Sequence, residues 1–279
     1  MGTLQLNGGG TLEFDDQGSG PAMVFLHGWS LGKEAFAKQR RELSDRYRVI
    51  VPDMRGHGNS KRFAQGDGID TLAGDVERLL VTLDLSNVIL VGWSMGALVA
   101  WQLAQGPQRG RIRGIVTIDM VPRVLNRDDW QHGLRAGTHL YDVDIDLTKM
   151  RDDWRAFTHA YVPMVFAGGK AIERRDLIED MLELVGDNDL ESMTNLWHAL
   201  VHADYVDAVQ KLDVPTLITY GALSQIYAEE TAAWMDEHIP LSRRVCFAES
   251  GHAPHLEETP RFNQVLADFA GELEQQSND

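Results

Sequence analysis

Short, unbroken apolar runs recur along this chain, spaced so that a helix fits between most of them. Ala22-Met23-Val24-Phe25-Leu26, Val49-Ile50-Val51, Val88-Ile89-Leu90-Val91 and Gly114-Ile115-Val116-Thr117-Ile118 read as strands covered on both faces. The texture returns at Pro215-Thr216-Leu217-Ile218-Thr219-Tyr220-Gly221 and at Arg244-Val245-Cys246-Phe247. Leu4-Gln5-Leu6 and Leu12-Glu13-Phe14 flank Asn7-Gly8-Gly9-Gly10 and predict an antiparallel hairpin at a sheet edge. Helical spacing links Leu72, Val76, Leu79, Leu80 and Leu83 after Asp70-Thr71, and again Phe262, Val265, Leu266 and Phe269. The spacing predicts further helices over residues 33–43 and 260–273, with a frayed tail at 275–279. Strands alternating with helices imply an α/β fold: a mostly parallel, eight-stranded sheet flanked by helices on both faces. From 120 to 207 strand-like runs vanish and helical periodicity rich in Trp, Met and His takes over. This predicts a core of residues 1–119 and 208–279 interrupted by a helical cap insertion, 120–207.

One junction in this pattern carries chemistry. Val88-Ile89-Leu90-Val91 leads directly into Gly92-Trp93-Ser94-Met95-Gly96, and Ala97-Leu98-Val99-Ala100-Trp101-Gln102-Leu103-Ala104 follows. The order is strand, turn, helix. G-x-S-x-G in that setting predicts a serine raised on a strained turn, with glycines where strand and helix backbones crowd. Ser94 would stand at the carboxyl edge of the sheet, beside a helix N-terminus that aims free N–H groups at developing negative charge.

Composition narrows the function classes. The 279 residues are 43% apolar and 24% charged, enough for a packed core. A net charge of −16 argues against nucleic acid and anionic membrane surfaces as partners. The single cysteine, Cys246, excludes an internal disulfide and is expected as a small buried residue. No leader and no membrane-spanning run is readable, and the expected compartment is the cytoplasm. No H-E-x-x-H, CxxC, G-x-G-x-x-G or P-loop pattern occurs, so the expectation is no metal and no cofactor. Oligomeric state is left open.

Four stretches in order are similar to the α/β-hydrolase superfamily: Phe25-Leu26-His27-Gly28-Trp29, Asp53-Met54-Arg55-Gly56-His57-Gly58-Asn59-Ser60, the Ser94 turn, and Glu249-Ser250-Gly251-His252-Ala253-Pro254-His255. The resemblance covers nearly all of the core, while the insertion matches only in being helical. It implies a serine nucleophile activated by an imidazole. His252, in the loop after the last strand, is the preferred base, with His255 its nearest rival. His27 and His57 are assigned structural roles, holding the Gly28 loop and the Gly56–Gly58 turn. The oxyanion would lie against the backbone N–H groups of Trp29 and Met95.

The acid departs from the common family pattern, which places Asp where Gly221-Ala222-Leu223-Ser224 ends in serine. Some relatives carry the acid at the end of the preceding strand, here Asp119. Glu229 and Glu230 remain alternatives. Trp29, Trp93, Trp154, Met164 and Trp197 are the expected substrate-binding side chains, and Gly168-Gly169 a cap hinge.

The resulting expectation is a hydrolase of carboxylic esters, or of lactones or thioesters, whose small-molecule substrate carries apolar acyl or aromatic groups. A cofactor-independent ring-cleaving dioxygenase or a C–C bond hydrolase of the same superfamily is the alternative, and a non-catalytic ligand receptor a third. Haloalkane dehalogenases and epoxide hydrolases of the fold need Asp where Ser94 stands and are excluded.

Overall fold

The computed structural model describes residues 1–6, 9–60, 68–135, 140–186 and 188–276. Strands β1 (Gly2–Gln5), β2 (Thr11–Gln17), β3 (Ala22–Leu26), β4 (Arg48–Pro52), β5 (Val88–Trp93), β6 (Ile112–Ile118), β7 (Thr216–Gly221) and β8 (Ser242–Phe247) form one sheet in the order β1-β2-β4-β3-β5-β6-β7-β8. β1 and β2 are antiparallel, and β2 meets β4 antiparallel. The other pairings are parallel. The edge hairpin, the parallel core and its helical crossovers agree with the sequence pattern. Turn residues Asn7 and Gly8, and tail residues 277–279, lie outside the described residues.

Every residue of β3, β5 and β7 is buried, as continuous apolar runs require in a sheet covered on both sides. β8 differs. It is an edge strand and only its last residue is buried, so Cys246 is half-exposed rather than the buried residue expected from its neighbours.

The segment 33–43 divides into a 3-10 turn, Lys33–Phe36, and α1 (Ala37–Leu43). α2 (Ile69–Thr82) buries Leu72, Val76, Leu79 and Leu80 at the predicted spacing, and α3 (Met95–Ala104) follows the elbow and is buried and apolar except at Gln102. Between β6 and β7 run α4 (Leu140–Asp152), α5 (Trp154–Val165), α6 (Arg175–Val185), α7 (Leu190–His202) and α8 (Val206–Val209). Asp153 and Asp189 cap α5 and α7 by accepting from Ala156 N–H and Ser192 N–H. α9 (Glu229–His238) lies between β7 and β8, where the sequence reading placed no helix. α10 (Pro254–Glu257) and α11 (Thr259–Gln276) close the chain, and α11 carries the predicted tail residues Gln275 and Gln276 as helix.

The chain leaves β3 for β4 on one side and returns to β5 on the other. Such a reversal opens a crevice at the carboxyl ends of the two strands. The loop after β3 carries Trp29, and the turn after β5 carries Ser94.

Beneath this edge lies a buried ion pair. Arg55 meets Asp75 of α2 through two hydrogen bonds, Nε to Oδ2 at 2.7 Å and Nη2 to Oδ1 at 2.8 Å. Asp75→Ala is expected to lower unfolding free energy by about 3–5 kcal/mol, because it takes from a buried guanidinium the carboxylate that pairs it. Glu272→Ala, which breaks the exposed Arg243 pair, should cost under about 1 kcal/mol. Urea unfolding of the two variants checks the contrast.

Candidate active site

Ser94 sits at φ 52°, ψ −121°, a strained conformation for a residue with a side chain. Its neighbouring glycines make the turn possible. A Cβ on Gly96 would lie 2.0 Å from Leu26 O of β3, and one on Gly92 would lie 2.5 Å from Gly96 O. The loop after β3 lies beside the serine, since a Cβ on Gly28 would make ordinary contact with Ser94 Cβ at 3.5 Å. Trp29 follows in that loop. Met95 opens α3, so its N–H is among those the helix cannot use internally. The two candidate oxyanion donors therefore flank Ser94.

Asp119 follows β6 at φ 42°, a second left-handed residue at this edge. Its Oδ2 lies 2.7 Å from His252 Nδ1, joining residues 133 positions apart, and both side chains are buried. With Nδ1–H donated to a carboxylate, the other ring nitrogen, Nε2, is left to accept a proton. The His252 main chain is clamped as well: its N–H donates to Val165 O at 2.8 Å, and its carbonyl accepts Trp93 Nε1–H at 2.8 Å. Ser94 and His252 line one cavity of about 710 Å³.

His255, the rival base, is fully buried among Phe36, Trp93 and Phe262, away from the cavity wall. Burial holds its pKa well below the usual histidine value, and it stays neutral. Glu229 sits at the start of α9 and accepts the Tyr220 hydroxyl at 3.0 Å; neither it nor Glu230 lines the cavity. Asp119 is the carboxylate that meets the imidazole.

His27 and His57 hold the loops they were assigned. His27 Nδ1 bonds Gly28 O at 2.8 Å and its Nε2 accepts Met54 N–H at 2.9 Å; His57 Nδ1 bonds Arg55 O at 3.0 Å and its Nε2 accepts Ser30 N–H at 3.1 Å. Each ring donates once and accepts once, as only a neutral imidazole can. Burial, reinforced by the neighbouring His27 imidazole, pushes His57 down to about 3, and burial also lowers His27.

Of the expected substrate-binding residues, Trp29, Trp93, Met164 and Trp197 line the cavity. Trp93 also holds the His252 carbonyl, and Met164 stands 41% exposed. Trp154 is not among the lining residues: it packs edge-on behind Trp29, its indole N–H on Val185 O. Walls that the sequence reading passed over come from the loop after β7, namely Gln225, Ile226 and Tyr227. Asp146, Lys149, Asp152 and Asp153 add charge to the lining, and burial raises the Asp146 pKa. Tyr161 lines the cavity while bonding Ser30 Oγ, and burial keeps it and Tyr227 protonated. Of the expected hinge glycines, Gly168 is tied by its N–H to Leu223 O at 3.0 Å, while Gly169 adopts φ 79°. Among the described residues, no three potential metal-ligating side chains gather.

A family model described as alpha/beta hydrolase fold matches residues 21–259. The chain belongs to that family. It is 31% identical over 264 residues to the AB hydrolase superfamily protein YisY of Bacillus subtilis, covering 93% of this chain and 95% of that one. It is 27% identical to the pimeloyl-[acyl-carrier protein] methyl ester esterase of Aeromonas hydrophila, over 91% of this chain and 97% of the relative. An esterase from Exiguobacterium antarcticum superposes with a TM-score of 0.89 at 28% identity, covering 96% of this chain and 98% of that one.

The buried histidines of this hydrolase set a pH dependence. His57 takes a proton near 6.5 when unfolded but resists it down to about 3 when folded. Stability from this group is complete above 6.5 and is lost as pH falls from there toward 3, by about 1.4 kcal/mol per pH unit. His27 and His255 act in the same direction. Urea unfolding between pH 7 and pH 5 is expected to show stability falling with pH more steeply than His57 alone would give, and His57→Gln to make the slope shallower by about one proton's worth.

Proposed function

We propose that the chain, a carboxylic ester hydrolase, cleaves its substrate through an acyl intermediate on Ser94. Ser94 Oγ attacks the ester carbonyl as His252 Nε2 takes its proton, and the same proton passes to the departing alcohol. Asp119 orients the imidazole and offsets the charge it gains. The N–H groups of Trp29 and Met95 receive the oxyanion, whose charge they stabilise because they are fixed in place before the reaction. Water then repeats the sequence and frees the acid.

The observation that carries this reading is the 2.7 Å contact between His252 Nδ1 and Asp119 Oδ2, made by a ring that shares one cavity with Ser94. The names of the relatives favour ester cleavage over the other chemistries of the fold. The helical segment 120–207 acts as a cap: α4, α5 and α7 contribute wall residues to the cavity. Trp29, Phe157, Tyr161, Trp197 and Tyr227 give that cavity an aromatic lining, which suits an ester, lactone or thioester with an apolar acyl or aromatic group. The substrate is a small molecule, and a chain of net charge −16 with one cysteine suits the cytoplasm and not a nucleic-acid partner.

Kinetics on p-nitrophenyl esters of graded acyl length test the reading. Ser94→Ala should lose kcat by about 10⁴-fold or more, and Asp119→Asn by about 10⁴-fold. A fluorophosphonate should label the wild type at Ser94 and leave Ser94→Ala unlabelled. Folded wild type that resists the probe and turns over no ester would sink the proposal, and oxygen uptake with a quinolone-type aromatic would put a ring-cleaving reaction in its place.

A further inference from the structure

Ser224 stands at the position where the common family pattern has its acid. It is buried, and its Oγ lies 2.8 Å from Asp119 Oδ2. That oxygen is the one that also receives His252 Nδ1. The direction of the Ser224 bond is set by its other contacts. The hydroxyl accepts the N–H groups of Ile226 and Tyr227, each at 3.3 Å, and these occupy its two acceptor sites. Its one proton is left for the carboxylate.

The same loop is tied from outside: Arg135 Nη1 bonds Ser224 O at 3.0 Å, and Arg135 N–H bonds Ile226 O at 2.8 Å. Gln225, Ile226 and Tyr227 line the cavity, so one hydroxyl joins the acid to a stretch of substrate wall.

We infer that Ser224 is a positioning residue: it holds the Asp119 carboxylate in register with His252 and shares the oxygen that the imidazole uses. The inference rests on the proposed triad. A donor on a carboxylate stabilises its charged form, and a buried carboxylate deprived of one draws any nearby proton more strongly. Without the Ser224 hydroxyl, Asp119 Oδ2 keeps the imidazole N–H but loses its second side-chain donor, and the carboxylate draws the proton of the imidazole more strongly. The other titratable or charged groups around the pair do not reverse this sign. Tyr227, its ring 5.7 Å from that of His252, stays protonated by burial; His255, beyond Trp93, stays neutral; and Arg135 keeps its charge throughout.

The test compares Ser224→Ala, Ser224→Thr and Ser224→Cys with wild type by kcat, KM and the pH profile of kcat/KM on a p-nitrophenyl ester. For Ser224→Ala the acidic limb is expected to move up by about half to one pH unit, and kcat to fall about tenfold with KM within about twofold. Ser224→Thr, which keeps the hydroxyl, should return the limb toward wild type. Ser224→Cys, with a weak donor, should fall between, and it carries the comparison should the alanine variant not fold. A limb that stays in place while kcat drops, or one that moves down, overturns the inference and leaves Ser224 a structural residue. Asp119→Asn separates the two readings: if it keeps near wild-type activity, the triad itself is wrong, whereas an inactive Asp119→Asn beside an unmoved Ser224→Ala profile removes only the role of Ser224.

Discussion

The backbone contact between Gly96 and Leu26 is the constraint from which the site is built. An α-helix and a buried strand approach so closely there that not even a methyl group fits between them. The chain must climb out of β5 and into α3 within a single residue, and that residue takes the strained conformation. Strain of this kind costs on the order of 1–3 kcal/mol and survives only where surrounding structure leaves no alternative. Here that structure is a sheet with every residue of β3 and β5 buried. The result is a hydroxyl held out at the sheet edge, with the Gly28–Trp29 loop on one side and the first turn of α3 on the other.

Around that fixed point, loops are secured by side chains that look catalytic in the sequence and act as fasteners. His27 and His57 grip the loop after β3 from beneath, and Tyr161, Asn188 and the Met193 carbonyl grip it from the helical segment above, through Ser30 and the Trp29 indole. The proposed oxyanion loop is thus held by both parts of the molecule. α5 and α7 thus each bond directly to the loop that carries the proposed oxyanion donor Trp29, Tyr161 of α5 through Ser30 and Met193 of α7 through the Trp29 indole.

Most of the fold was legible because its signals are local. Continuous apolar runs gave the buried strands, and helical spacing gave α2 and α11. The G-x-S-x-G turn is explained by contacts within a few residues and one neighbouring strand. α9 escaped because Glu229 to His238 carries no clean apolar stripe, having Ala232 and Met235 buried but Trp234 only partly so. The candidate site was legible only as far as its motifs. Asp119 and His252 could be paired by their places at strand ends, but that Ser224 bonds Asp119 depends on how residues 105 apart in the chain meet. Trp154 shows the same limit: its composition fits a pocket wall, and only packing places it behind Trp29 rather than in front. Tyr227 lies in a loop with no periodicity at all, so no pattern could assign it to the wall.

The seat of His252 bears on how a substrate can get in. Its N–H is held by the carbonyl of Val165, the last residue of α5, and a Cβ on the preceding Gly251 would lie 2.5 Å from the Phe166 backbone. The end of α5 is therefore part of the mounting of the proposed base. A lid that swung away with this helix would dismount the imidazole each time it opened. The three bonds that seat His252, from Asp119, Trp93 and Val165, tie an armed site to an α5 that stays moored as a doorpost, so any opening of the cavity has to leave the end of that helix in place.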